Sequence, residues 1–333
     1  MKTIVTGGAG FIGSTLVDAL LCLDHEVLVL DDFSTGKEAN LLSARARGAL
    51  VSPVDIRDRS EFADTARGFE PEVIFHLAAQ TDVRRSVSDP PLDARTNVEG
   101  TINVLEAARL TGARVVNVST GGAIYGDTDV LPTPEHVEPV PDAPYGLSKY
   151  CAERYVRLYG RLFDTNGVTV RLGNVYGPRQ DPLGEAGVIA IFCGLALQGL
   201  RPTVYGTGRQ TRDYVYVDDV VLALVSLLEH PEAHGEYNIG TGRATSVLDI
   251  IEALAPYVDD SFQPVFADAR AGEIERSCLD VSRAVAELEW RASFDLSDGL
   301  RRTIEWTRAE ALRPAFRADP QGQRHQSLLE GVR

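Results

Sequence analysis

Thr3-Ile4-Val5-Thr6-Gly7-Gly8-Ala9-Gly10-Phe11-Ile12-Gly13 runs from an apolar stretch through a cluster of glycines into a helical pattern. Gly8, Gly10 and Gly13 fit G-x-G-x-x-G, and Gly7, Gly10 and Gly13 fit G-x-x-G-x-x-G. Glycine allows a tight turn and lets backbone approach a pyrophosphate, and the last glycine lets the helix lie close on the strand. The helix start then presents N–H groups and the positive end of its dipole to phosphate oxygens, which makes Phe11 and Ile12 candidate contacts beside the glycines.

A second strand-like run over residues 26–31 ends in Asp31, 18 residues past Gly13. A carboxylate there can accept both hydroxyls of an adenosine ribose. A 2′-phosphate would meet its charge, so the pattern favours NAD over NADP. Working outward, β-branched runs at 2–6, 26–31, 73–77 and 114–119 alternate with helical patterns at 12–23, 60–67, 97–111 and 145–164. Strand then helix, repeated, predicts an α/β fold of Rossmann type: a doubly wound parallel sheet with right-handed crossovers, binding its ligand beyond the carboxyl ends of the strands. Residues 50–54 add a strand-like piece leading to Asp55-Ile56. These either touch the adenine or, in the case of Asp55, form an ordinary helix N-cap. His76-Leu77-Ala78-Ala79 closes a strand on small residues suited to close passage of a cofactor, with His76 itself a buried structural residue.

Past residue 175 the texture changes. Gly177-Pro178 opens a segment rich in turn residues, with strand-like pieces at 202–205 and 214–217 and helical patterns at 220–228 and 247–257. We read residues 1–175 as the NAD-binding domain and 176–312 as a smaller mixed α/β lobe that closes over the substrate and shares some strands with the first domain. Residues 313–333 form a polar tail without apolar periodicity.

The 333 residues are 44% hydrophobic and 24% charged, the make-up of a folded protein rather than a disordered or fibrous one. A net charge of −15 argues against an extended nucleic-acid face. Four cysteines (Cys22, Cys151, Cys193, Cys278) lie far apart, with neither a disulfide pattern nor a C-x-x-C pair. No run of about 18 apolar residues spans a bilayer, and no secretory signal is read at the start, so a cytoplasmic setting is expected. The six histidines are scattered, with no zinc-type cluster, so no metal is expected.

Tyr145 and Lys149 stand four apart at the start of a helical pattern, one turn apart on one face. A phenol of pKa about 10 is a poor base at neutral pH, and a nearby ammonium favours the phenolate. Tyr-x-x-x-Lys can therefore shuttle a proton to or from a sugar hydroxyl while the lysine also holds the cofactor ribose. Only three of the 33 basic residues are lysine (Lys2, Lys37, Lys149), so a lysine here is a marked choice in an arginine-rich chain. A third group should hydrogen-bond the reacting oxygen. Ser119 and Thr120, at the end of a strand, are both candidates, with Thr120 preferred.

These residues resemble the extended short-chain dehydrogenase/reductases, in the nucleotide-sugar epimerase/dehydratase group, and within it the bacterial UDP-glucose 4-epimerases. The resemblance runs from Met1 to about Trp306 and rests on TGGAGFIGS at 6–14, DDFSTG at 31–36, HLAAQTDVRRSV at 76–87, STGGAIYG at 119–126, YGLSK at 145–149, GNVYGPRQDPLGEAGVIAIF at 173–192, RDYVYVDD at 212–219 and RAGE at 270–273. It implies a tightly held NAD that is recycled within each turnover. Tyr145, as phenolate, would take the proton of the sugar 4-hydroxyl, with Thr120 bonded to the 4-oxygen and Lys149 tuning Tyr145. The 4-keto sugar would then swing about its pyrophosphate and be reduced on the other face, inverting C4. Further cofactor contacts implied are Asp32, Phe33, Ser34, Thr35, Gly36, Leu77, Ala78, Ala79, Gln80, Asn97 and Ser119. Implied substrate contacts are Gly121, Asn174, Val188, Tyr205, Arg212, Arg270 and Glu273, the arginines on phosphates or uridine. The helical patterns at 97–111 and 145–164 match those that build a four-helix homodimer interface.

The chain departs from the group at three points. Many relatives carry the catalytic Ser or Thr where this chain has Gly121. Glu273 replaces the usual aspartate, and Ser277 stands where some relatives have a tyrosine that limits the sugar's 2-substituent. UDP-glucuronate and UDP-N-acetylglucosamine 4-epimerases are therefore rival readings. Gly121-Gly122 lacks the acid pair of a 4,6-dehydratase. A catalytically silent NAD-binding sensor would not need Tyr145 and Lys149.

Overall fold

A computed structural model describes residues 1–182, 187–259, 262–269 and 274–312. Its centre is a seven-stranded, wholly parallel sheet. Six strands follow in chain order: β1 (Lys2–Thr6), β2 (Glu26–Leu30), β3 (Leu50–Ser52), β4 (Val73–His76), β5 (Arg114–Thr120) and β6 (Gly167–Leu172). The seventh, Gly235–Ile239, comes from beyond residue 175 and pairs with β6. From one edge the spatial order is Gly235–Ile239, β6, β5, β4, β1, β2, β3. The chain thus leaves β1 in one direction and returns to β4 on its other side. The crevice beyond the carboxyl ends of β1 and β4 is the switch point where such sheets take their ligand.

The sheet is parallel because its strands are buried on both faces and joined by crossover helices. One face packs Leu16, Val17 and Leu20 of the helix Phe11–Cys22 with Val220 and Leu224 of the helix Val217–Ser226. The other packs Phe62 and Ala66 with Val104, Leu105 and Ala108, and with Val156 and Tyr159 of the helix Pro144–Phe163. Phe62 is wholly buried, and its replacement by alanine should cost about 3–5 kcal/mol.

The expected strands and helices are present with small shifts at their ends. The helix expected from residue 60 starts at Arg59, because Asp58 caps it by accepting from the Ser60 and Glu61 N–H groups. The helix expected from 97 is two pieces: a π-helical turn, Arg95–Glu99, and an α-helix, Gly100–Thr111. The catalytic-motif helix has Pro144 in its first turn, where a missing N–H costs nothing, and ends with Asp164 in the left-handed region (φ 56°). The helix Leu296–Ala311 is an element that the sequence reading did not identify.

Beyond the sheet's carboxyl edge a smaller core gathers Ile189, Phe192, Tyr214, Tyr216, Ile250, Leu254, Leu300 and Ile304. Around it lie three two-stranded ladders: Asn174–Tyr176 with Tyr214–Tyr216, Thr203–Tyr205 with Val265–Ala267, and Thr211–Arg212 with Thr245–Ser246.

Candidate active site

The glycine turn after β1 is built to exclude side chains. Gly7 has φ +67°, and a Cβ on it would lie 2.7 Å from the Ala78 backbone nitrogen. A Cβ on Gly13 would lie 2.2 Å from the Gly7 carbonyl oxygen, so only glycine lets the helix Phe11–Cys22 sit this close to the turn. Gly10 is the N-cap of that helix and no side chain caps it, nor is any acidic residue in its first turn. The N–H groups there can receive an anion.

Asp31 follows β2 and is buried. Its Oδ2 accepts from the Ala9 N–H (2.9 Å) and its Oδ1 from the Phe33 N–H (2.9 Å). Burial raises its pKa, and these two bonds only partly offset that. A carboxylate has room for about four donors, so two ribose hydroxyls would complete its shell. Asp31 also crowds Gly36, where a Cβ would lie 2.6 Å from Oδ1. Asp32 folds back onto the Ser34 N–H and hydroxyl, with Phe33 between them at φ 55°. Thr35 and Gly36 lead to Lys37, whose N–H donates to the Ala9 carbonyl. Asp55 is not a helix cap. Its carboxylate is gripped by the Arg57 guanidinium (2.6 Å), which holds it below the usual carboxylate range, and Asp58 does the capping. Ile56 is buried beside Gly100.

His76, at the end of β4, is fully buried between two hydroxyls. Nδ1 lies 2.8 Å from Thr6 Oγ1 and Nε2 lies 3.0 Å from Thr101 Oγ1. Thr101 already donates to the Asn97 carbonyl (2.6 Å), and Thr6 already accepts from the Leu77 and Ala78 N–H groups (3.1 Å each). Thr6 therefore donates to Nδ1 and His76 carries its proton on Nε2. Desolvation, with the Lys149 charge, lowers its pKa to about 3, so the ring is neutral.

Asn97 sits in the π-helical turn, a device common where function needs a displaced side chain. Its Oδ1 accepts from the Gln80 N–H (2.8 Å), while Nδ2 donates to the Gln80 carbonyl (2.9 Å) and to Ser148 Oγ (3.0 Å). Ser148 in turn donates to the Tyr145 carbonyl (3.0 Å). The Tyr145 N–H donates to Ser86 Oγ (3.1 Å), which compensates for the absence of a side-chain cap at Ala143. Asn97 thus ties the loop Leu77-Ala78-Ala79-Gln80 to the first turn of the helix that carries Tyr145 and Lys149.

The Thr120 hydroxyl acts on the Tyr145 phenol, favouring its ionised form, whereas Ser119 Oγ is buried with no partner. Of the two hydroxyls left open by the sequence, Thr120 is the one that meets the phenol. Burial pushes the phenol up to about 12, the Thr120 hydroxyl pulling it down and Asp93 adding to the rise. The lowering expected from Lys149 is absent: burial raises the phenol, and the Thr120 hydroxyl is the group that opposes it. Burial also brings Lys149 down to about 8, opposed by Glu153 and Asp93. At pH 7 the pair is a neutral phenol and an ammonium. Among the described residues Lys149 makes no ion pair or hydrogen bond. Glu153, one turn further, is neutralised by Arg171 (2.7 Å), both fully buried; Arg171 continues to the Tyr125 hydroxyl (2.8 Å).

The expected substrate contacts are spread over both parts of the chain. Asn174 lies against Gly122, with its Oδ1 buried and unpartnered. Gly121 donates its N–H to the Leu172 carbonyl. Val188 begins the helix Val188–Leu197, whose N-cap Gly187 offers no side-chain cap. Tyr205 ends its strand, and Arg212 donates to the Thr211 carbonyl (2.8 Å). Arg270 and Glu273 lie outside the described residues. The sequence reading missed Asp93, Ser86 and Ser148, and the Glu153–Arg171 pair. It also missed Asp213, which accepts from the Thr241, Gly242 and Leu279 N–H groups (2.7, 3.0 and 3.2 Å).

The residues present fit NAD. Gly7 and Gly13 form a cradle that a Cβ would fill, Asp31 is an under-bonded buried carboxylate, and Ser119 Oγ is a buried orphan at the sheet's carboxyl edge. Parallel sheet, glycine turn and Tyr145–Lys149 helix together define a dinucleotide-binding fold of the extended short-chain dehydrogenase/reductase class. The profile of the NAD dependent epimerase/dehydratase family matches residues 3–240, and the chain belongs to that family. A UDP-glucose 4-epimerase of Mycolicibacterium smegmatis is 45% identical over 310 residues, 92% of this chain and 99% of the relative. The crystal structure of the Thermotoga maritima UDP-glucose 4-epimerase with UDP-glucose is similar at a TM-score of 0.89 and 41% identity, covering 93% and 99% of the two chains. That of the Thermus thermophilus UDP-glucose 4-epimerase with NAD has a TM-score of 0.84 and 40% identity, covering 92% and 99%.

Proposed function

We propose that this enzyme inverts C4 of a UDP-hexose, interconverting UDP-glucose and UDP-galactose through a 4-keto sugar with NAD retained. The observation that carries the proposal is the Thr120–Tyr145 hydroxyl pair at the end of β5, one helical turn from a buried ammonium. The identity of the relatives named above supports the choice of sugar.

Bound NAD supplies a reversible hydride acceptor for C4. The chain supplies the rest. Tyr145 exchanges a proton with the sugar 4-oxygen, and Thr120 hydrogen-bonds the same oxygen, so the two hold it in place whether it is hydroxyl or carbonyl. Burial keeps the resting phenol protonated, eased by the Thr120 hydroxyl; an ammonium on Lys149, charged below about pH 8, would favour the phenolate as the proton leaves. Asp31 holds the adenosine ribose. Residues 1–175 hold the cofactor and 176–312 most of the sugar nucleotide, with Arg212, and Asn174 at the end of the first part, on its phosphates or uridine and Tyr205 near the uracil.

Two copies pair through the helices Gly100–Thr111 and Pro144–Phe163, which leave Leu110, Leu147, Leu162 and Phe163 exposed. Light scattering on the eluting protein tests that pairing. Among the described residues no helix is long and apolar enough to cross a membrane, and we place the enzyme in the cytoplasm. Incubation with UDP-glucose, UDP-N-acetylglucosamine and UDP-glucuronate in parallel, with chromatographic separation, tests the function. UDP-galactose is the expected product, and an unchanged UDP-glucose pool rejects the reading.

A further inference from the structure

Asp93 lies in the short helix Pro90–Ala94, is 1% exposed, and forms no ion pair among the described residues. Its Oδ1 accepts from Gln80 Nε2 (2.9 Å) and from Asn97 Nδ2 (3.1 Å). Asn97 is the side chain that fastens the cofactor loop, through the Gln80 backbone, to Ser148 of the Tyr145 helix, and Gln80 belongs to that loop. A buried carboxylate held only by neutral amides is costly and persists where the fold needs its charge.

We propose that Asp93 is a positioning residue for the Tyr145–Lys149 pair: its carboxylate fastens the Gln80–Asn97–Ser148 clamp and, together with Glu153, supplies negative charge that favours the Lys149 ammonium. The inference rests on the reading of Tyr145 and Lys149 as the proton-handling pair. Of the other charged groups around them, His76 is neutral, and Glu153, paired with Arg171, acts on Lys149 but not on Tyr145. Asp93 is the remaining carboxylate that acts on both members, favouring the protonated form of each.

Asp93→Asn keeps an acceptor for both amides and removes the charge. Because the chain has three lysines, protein labelled with 13C at lysine Cε gives three side-chain signals, and Lys149→Met assigns the third. In nucleotide-free protein the Lys149 titration midpoint should fall by about one pH unit in Asp93→Asn, and stay in place in Asp93→Glu. Lys2 and Lys37 should not move. In the loaded enzyme both limbs of the kcat/KM profile should shift to lower pH, since the carboxylate raises both groups. Asp93→Ser serves as the second neutral variant if the amide does not fold. An unmoved Lys149 midpoint in a folded neutral variant overturns the inference, even where the wild type epimerises UDP-glucose. A wild type that epimerises nothing overturns the functional reading instead, and the lysine titration still judges Asp93.

Discussion

Leu279 occupies the space that a side chain on Gly121 would need. Its two methyl carbons lie 2.6 and 2.8 Å from the position of a Cβ there, and the Leu279 N–H is held by the buried Asp213 carboxylate (3.2 Å). A side chain at 121 requires Leu279 to shift, and Thr120 is the residue whose hydroxyl acts on Tyr145. Thr120→Ala should therefore lower kcat roughly a hundredfold, with KM for UDP-glucose little changed. Adding Gly121→Ser should not restore the rate. Recovery of turnover in the double variant, measured by a coupled assay for UDP-glucose formation, would show that position 121 can serve after all.

The Gly7–Gly13 contact makes a second prediction. Gly13→Ala places a methyl 2.2 Å from the Gly7 carbonyl oxygen, so the helix must move off the turn. Overpacking of this kind costs about 1–3 kcal/mol, and here it displaces the N–H groups proposed to hold the pyrophosphate. The variant should fold, melt earlier and purify without nucleotide absorbance. Retention of NAD at the wild-type ratio would place the pyrophosphate elsewhere.

His76 links the site to acid stability. Unfolded, its imidazole binds a proton below about pH 6.5; folded, it stays neutral down to about pH 3. Between those values the unfolded state holds more protons, so stability falls as pH falls through that window. Urea midpoints measured from neutral pH downwards should decline less steeply in His76→Gln than in the wild type. Parallel declines would show that other groups govern the acid limb.

Much of this architecture is legible in the sequence because it follows from local patterns. β1 to β5 and their crossover helices announce themselves by buried β-branched runs and apolar periodicity, and Gly7, Gly10 and Gly13 by the sterics of one turn. Tyr145 and Lys149 are visible because four-residue spacing on a helix is a contact. What stayed hidden depends on residues brought together from afar. Ser86 lies in a short helix before the π-helical turn and reaches the Tyr145 helix only through tertiary packing, and Asp93 joins that network through Asn97, which bonds Ser148. The Tyr145 phenol is another such case: a motif shows the lysine one turn away but not the burial that raises the phenol's pKa. At Asp55 the helix-cap alternative fails for a local reason, since Asp58, three residues on, caps the helix.

The central claim is that the Tyr145 oxygen carries the proton of the sugar 4-hydroxyl, and one variant tests it most directly. Tyr145→Phe keeps the ring and removes that oxygen, while the glycine turn and Asp31 are left intact. The account predicts that the variant purifies with wild-type NAD content and loses roughly 10²–10⁴-fold in kcat for conversion of UDP-galactose to UDP-glucose. Wild-type turnover in a variant with full NAD content would contradict it.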